Sequence, residues 1–183
     1  MMTSNINSKD PNTVISGNER VINARLADAA FFFNNDLSQS LSYFNEKLKQ
    51  VIFQKTLGTQ HDRVVRLSYL SSEIATKLNE KTTDAKRAAL LSKMDLVSEM
   101  VSEFPELQGL MGGYYARAEG MTDAVADAVR DHYKPVGQND DVPTDPVTVA
   151  VSLADKLDTL MCFFAIDEKP TGSKDPFALR RAA

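Results

Sequence analysis

Asp145-Pro146-Val147-Thr148-Val149-Ala150-Val151-Ser152-Leu153-Ala154-Asp155-Lys156-Leu157-Asp158-Thr159-Leu160-Met161-Cys162-Phe163-Phe164-Ala165 decides the fold class. An aspartate before a proline starts a helix: the carboxylate can accept from free backbone N–H groups, and proline at the first helical position has no N–H to satisfy. Val147, Val149, Val151, Leu153, Leu157, Leu160, Met161, Phe163 and Phe164 surround the axis, so most of the circumference is expected to be buried. The polar positions form a stripe, with Ser152, Asp155 and Thr159 at i, i+3, i+7 and Asp158 beside them. An unpaired charge in a dry core costs several kcal/mol. Asp155 therefore requires an arginine or lysine, several backbone donors, or a metal.

The rest of the chain repeats the helical period. Ile22, Leu26, Ala29 and Phe33 share one face and predict a helix over about 18–36; a shorter one follows near 41–50 and a longer one over about 59–79, where Val64, Leu67, Ile74 and Leu78 repeat. Leu90, Met94, Val97 and Val101 predict a further helix that Asp84 can cap. Pro105 opens the next, which runs through Gly112-Gly113; two residues without side chains let a neighbouring backbone approach, at roughly 1 kcal/mol of helix propensity each. Thr122 opens a short helix ending near Tyr133, and 135–144 is turn-rich. No alternating apolar run of useful length suggests a sheet, so the class is all-α.

The chain of 183 residues is 43% hydrophobic, enough for one sizeable core and one domain. Its formal net charge of −4 opposes a generally basic nucleic-acid surface, so any RNA contact falls to a local patch. The lone Cys162, in an apolar run, reads as a buried structural thiol and fits the cytoplasm. No apolar run approaches the ~20 residues that span a bilayer, and no membrane partner is expected. At the far end, Asp175-Pro176 opens a helix that Leu179-Arg180-Arg181-Ala182-Ala183 leaves unterminated, the pattern of a piece of something larger.

Several ordered blocks then carry a resemblance: Gly17-Asn18-Glu19-Arg20-Val21-Ile22 running on to Arg25-Leu26-Ala27-Asp28-Ala29-Ala30-Phe31-Phe32-Phe33, Leu57-Gly58-Thr59, Glu103-Phe104-Pro105-Glu106-Leu107-Gln108-Gly109, Ala154-Asp155-Lys156-Leu157-Asp158-Thr159-Leu160, and Pro170-Thr171-Gly172-Ser173-Lys174-Asp175-Pro176-Phe177-Ala178-Leu179-Arg180-Arg181-Ala182-Ala183. From about Ser16 to the end the chain resembles the beta subunit of bacterial glycyl-tRNA synthetase. The resemblance implies an internal fragment of a longer subunit whose partners are the alpha subunit, the rest of the beta subunit and tRNA(Gly). It implies that the alpha subunit activates glycine with ATP and Mg, and that this fragment carries no cofactor and no catalytic residue. It also implies a domain similar to the HD superfamily of metal-dependent phosphohydrolases: a bundle of about seven helices over 16–170, with 1–15 a boundary segment and 171–183 the start of a connecting helix.

In active HD enzymes an early histidine, a central His-Asp pair and a late aspartate converge on a divalent metal that activates water. His61-Asp62 is a tempting match for the central pair. By order along the chain, however, His61 takes the early place, Ala88-Ala89-Leu90-Leu91-Ser92-Lys93-Met94-Asp95 leads into the central one, and Met94 stands where a ligand histidine belongs. His61, Asp95 and Asp155 remain as a degenerate metal set, short of one nitrogen donor, and a thioether is a poor ligand for hard cations. No bound metal and no hydrolase activity are expected, and His132 has no role in this scheme. Phosphate contacts to tRNA are expected from Arg63 and Arg66, Lys86 and Arg87, and Lys174, Arg180 and Arg181, each weighed against an ordinary solvated or salt-bridged face. Arg20, Arg25 and Asp28 read as an ion-pair network. The competing functions are a metal-dependent HD-type phosphohydrolase and a purely structural spacer between other domains.

Overall fold

The computed structural model describes residues 10–183, and among them the protein is built from nine helices and one two-stranded ladder. The helices are α1 (Pro11–Leu37), α2 (Leu41–Lys47), α3 (Gln60–Lys77), α4 (Thr82–Leu91), α5 (Glu99–Glu103), α6 (Leu110–Ala118), α7 (Asp123–Asp131), α8 (Pro146–Ala165) and α9 (Leu179–Ala182). Strands β1 (Ile52–Gln54) and β2 (Gly58–Thr59) pair antiparallel across a tight turn, with Gly58 at φ +87 in the left-handed region. Five residues are too few to show a period of two, which is why the sequence gives no sheet signal. The class is all-α. None of the described helices is long and apolar enough to cross a membrane.

The core lies between α3, α4, α7 and α8, which pack on one another, and includes Leu67, Ala88, Ala89, Met94, Val125, Val129, Val151 and Ala154. Helix α8 begins as its sequence dictates: the Asp145 carboxylate accepts from the N–H groups of Val147 and Thr148 at 3.1 and 3.0 Å. Its burial is narrower than expected. Leu153, Leu157, Met161 and Phe164 are 42 to 70% exposed, leaving an apolar stripe bare on the side away from the core. Helix α1 starts seven residues before the expected Asn18, because Asp10 caps it and Pro11 takes its first position. Residues 1–9, part of the expected boundary segment, lie outside the described residues.

The single helix expected around Leu90–Val101 is broken into α4, a 3-10 turn at Met94–Val97, and α5. Serines do this. Ser92 and Ser98 return their hydroxyls to the carbonyls of Ala89 and Asp95 at 2.8 and 2.7 Å, competing with helical hydrogen bonds, and Ser98 then caps α5 through the Val101 N–H. Asp36, at the end of α1, completes that cap by accepting from the N–H groups of Glu99 and Met100 and from the Tyr115 hydroxyl at 2.7 Å. Asp84 does not cap α4; it sits in the first turn, where its charge suits the helix dipole. The Gly112-Gly113 pair is closely approached as expected: a Cβ on Gly112 would lie 2.8 Å from Val129 Cγ1, and one on Gly113 2.9 Å from Arg130 Cβ. At the other end Asp175 caps α9 through the N–H groups of Leu179 and Arg180, three residues later than its proline suggested.

Candidate functional site

The break at residues 92–98 turns Lys93 inward instead of along a helix surface. Its ammonium is 1% exposed, 2.9 Å from Asp155 Oδ1, 2.8 Å from His132 Nε2, and 3.8 Å from the centre of the Tyr133 ring. The break after α4, the residue that ends α7 and the inward face of α8 thus each deliver one part of a buried charge cluster. Arg63 of α3 supplies the fourth: Nη2 donates to Asp155 Oδ1 at 3.0 Å and to Thr159 Oγ1 at 2.7 Å, and the guanidinium lies 4.2 Å from the Phe53 ring. Beside it Asp158 accepts from Nε and Nη2 of Arg66 at 2.7 and 3.1 Å, and lies 3.7 Å from Arg63 Nε. The stripe at 152, 155, 158 and 159 is the inward face of α8, and its required partners are Lys93 and Arg63.

The protonation states follow from these contacts. His132 Nδ1 lies 2.7 Å from the Val129 carbonyl, which can only accept, so Nδ1 carries the proton and Nε2 offers its lone pair to Lys93. Burial and the neighbouring ammonium push the imidazole down to about 3, so it stays neutral. Burial alone would raise the Asp155 carboxyl, but the charges of Lys93 and Arg63 outweigh it and hold Asp155 well below the usual carboxylate range. Burial brings Lys93 down to about 8 against the pull of Asp155, leaving it charged at pH 7. Asp95 is fully buried and is pushed up by burial to about 6, although its Oδ2 accepts from the N–H groups of Gly109 and Gly112 at 2.5 and 3.0 Å. Among the described residues its Oδ1 has no hydrogen-bond partner.

Above the cluster lies a cleft of about 400 Å³ with Arg63 and Asp155 at its floor. Phe53, Tyr133, Phe163 and Phe177 wall it, and Lys156 and Arg181 stand at its edge. Phe163 and Phe177 stack at 4.2 Å between centroids, tying the segment before α9 to α8. Lys156 is anchored by the carbonyls of Tyr133 and Lys134, each 3.2 Å away. Planar walls with cations at the rim suit a planar, negatively charged ligand.

Several expected residues stand elsewhere. His61, Asp95 and Asp155 are not gathered: His61 is half-buried in the first turn of α3, Asp95 is turned to the backbone of α6, and Asp155 is held by Lys93 and Arg63. Among the described residues no three His, Cys, Asp or Glu side chains group as a metal site would require, so the donor set does not fit the metal centre of the HD enzymes. Asp62 completes a capping box with Thr59 at the start of α3, an ordinary structural role for the aspartate of the His61-Asp62 pair. Met94 packs in the apolar core; its neighbour Lys93 is the residue that reaches Asp155. Arg63 is corrected as a phosphate contact, since its side chain is 10% exposed and its donors serve Asp155 and Thr159. Arg66 is mostly committed to Asp158 and the Leu57 carbonyl.

Lys86, Arg87, Lys174, Arg180 and Arg181 are exposed, and none of them makes an ion pair among the described residues; Arg180 donates to the Thr171 carbonyl. Arg25 pairs with Glu103 of α5, not with Asp28. Cys162 is half-buried. His132 is a member of the buried cluster that the sequence does not signal, because nothing local links it to Lys93, 39 residues away.

A family model described as "Glycyl-tRNA synthetase beta subunit" matches residues 1–183. The "Glycine--tRNA ligase beta subunit" of Paracoccus denitrificans (strain Pd 1222) is 57% identical over 174 residues, covering 93% of this chain and 25% of the relative. The proteins of the same name from Chromohalobacter salexigens and Shewanella halifaxensis (strain HAW-EB4) are 53% and 52% identical, covering 98% and 100% of this chain. The chain spans about a quarter of the length of these relatives.

Proposed function

Because this chain belongs to the glycyl-tRNA synthetase beta subunit family, we propose that it is a non-catalytic, HD-like helical module of a cytoplasmic glycine-tRNA ligase that helps hold tRNA(Gly) in place for the alpha subunit. In this reading the ATP- and Mg-dependent activation of glycine occurs on the alpha subunit, and this module contributes surface. The observation that carries it is Arg181 standing with Lys156 at the mouth of a cleft walled by four aromatic rings. Unpaired nucleic-acid ends are held by stacking on such rings with cations tracking the phosphates. Lys174 and Arg180 precede Arg181 on the same terminal segment, and Lys86 and Arg87 offer a second exposed pair on α4. Arg63 acts from inside, holding Asp155 at the floor of the cleft. The bare apolar stripe of α8 supports a further contact with the rest of the ligase.

The test is charge reversal at Arg181 in the intact ligase. Arg181→Glu should raise the KM for tRNA about tenfold, equivalent to ~1.4 kcal/mol, and leave glycine- and ATP-dependent pyrophosphate exchange and subunit assembly unchanged. Loss of assembly with an unchanged KM for tRNA would favour the spacer function instead.

A further inference from the structure

Asp155 spends only half of its carboxylate inside the protein. Oδ1 accepts from Arg63 Nη2 at 3.0 Å and faces the Lys93 ammonium at 2.9 Å. Oδ2 has no hydrogen-bond partner among the described residues, yet it is not sealed from solvent as Asp95 Oδ1 is. The side chain is 11% exposed and lines the cleft, so the free oxygen is an ionised acceptor at the cleft floor. Thr159 beside it is already committed: its hydroxyl donates to the Asp155 carbonyl at 2.7 Å and accepts from Arg63. An ionised carboxylate can only accept, so a guest must bring an N–H or O–H to that point.

The walls and rim define the rest of the guest. Phe53 carries Arg63 over one face at 4.2 Å, Tyr133 carries Lys93 at 3.8 Å, and Phe163 and Phe177 stack on each other at 4.2 Å. What each ring can still offer is its opposite face or its edge, which suits a flat ring. Arg181 and Lys156 add positive charge at the edge, where an anion attached to that ring would stand. A volume of about 400 Å³ lies at the small end of ligand clefts, the size for one such unit. We propose that the cleft takes one unpaired nucleotide of the tRNA whose base carries an exocyclic amino group, with the amine donating to Asp155 Oδ2, the base among the rings and the phosphate toward Arg181 and Lys156. The assignment rests on the tRNA contact proposed above and adds to it a preference among bases.

The experiment measures CMP binding to the intact ligase by saturation transfer to the ring protons of the nucleotide. The comparison is the 5′-monophosphate of 2-pyrimidinone riboside, which differs from CMP only in lacking the amine, so the buried carboxylate itself need not be changed. CMP should bind about tenfold more tightly than this analogue, the effect of one hydrogen bond to a charged acceptor. Arg181→Glu should weaken CMP binding, and saturating tRNA(Gly) should displace CMP. Equal binding of the two nucleotides, or no binding of either, overturns the proposal, as does CMP binding indifferent to Arg181→Glu. The tRNA contact survives those results if Arg181→Glu still raises the KM for tRNA. CMP that keeps its amine preference yet stays bound beside saturating tRNA would assign the cleft to a free nucleotide and overturn the RNA source of the base.

Discussion

Asp155→Ala takes the shared counter-charge from two buried cations at once. Arg63 keeps Thr159 at 2.7 Å and Asp158 at 3.7 Å, so its share of the loss is small. Among the described residues Lys93, 1% exposed, keeps the neutral His132 and the ring of Tyr133 at close range, with the Asp95 carboxyl as its remaining negative neighbour. Breaking a buried pair by removing one partner costs about 3–5 kcal/mol, because the remaining charge is left without compensation. Lys93 has a way to limit that cost. Held near 8 with Asp155 beside it, it falls further without it and sheds its proton at neutral pH, so the lower end, about 3 kcal/mol, is expected. In urea that is a midpoint lower by about 1.5 M for a slope near 2 kcal/mol/M, and in heat a melting temperature lower by about 10 °C. Pairing the change with Lys93→Met should recover at least half the loss, since two matched apolar groups leave no orphaned charge. A loss below about 1 kcal/mol, or a double variant no more stable than the sum of its singles, would refute the buried-pair argument.

Three further outcomes follow from the same geometry. His132 has a folded value of about 3 against 6.5 unfolded, so its contribution is complete above pH 6.5 and is lost as pH falls toward 3; Asp95, raised to about 6, acts with the opposite sign between pH 3.8 and 6. The two partly cancel in wild type, so the difference in unfolding free energy between wild type and His132→Gln isolates His132 and should shrink by about 2 kcal/mol from pH 6.5 to 5. Gly112→Ala should cost about 1–3 kcal/mol in urea unfolding, since the new methyl would lie 2.8 Å from Val129 Cγ1 and 3.2 Å from the Asp95 carboxylate. Lys86→Glu with Arg87→Glu should weaken tRNA binding by intact ligase several-fold in a filter assay at low salt, and by less at high salt, while leaving the urea midpoint within about 0.5 M of wild type.

The helices were legible wherever a long apolar period met a clear start, as at Asp145-Pro146 and Thr122. The demand of Asp155 for a cation was legible too, because a lone carboxylate on an apolar helix has few physical outcomes. What stayed hidden depended on distant pairs. Nothing near Asp36 announces that it caps a helix 63 residues later, and nothing near His132 points to Lys93. Residues 90–101 misled because their apolar period continues through Ser92 and Ser98, whose hydroxyl bonds to the backbone break the helix. Order along the chain puts Met94 at the ligand position, whereas the break buries Met94 in the core and turns its neighbour Lys93 to Asp155. Arg63 and Arg66 carry the same i, i+3 spacing whether they face solvent or α8, so spacing alone did not separate a phosphate contact from an ion pair.

The salt dependence of tRNA(Gly) binding by the intact ligase tests the contact role of this module most directly. Plotted as log affinity against log salt concentration, wild type should fall steeply, and Arg181→Glu should bind more weakly with a slope reduced by about one phosphate contact. Superimposable lines for wild type, Arg181→Glu and the Lys86→Glu/Arg87→Glu variant would place the RNA elsewhere and contradict the account.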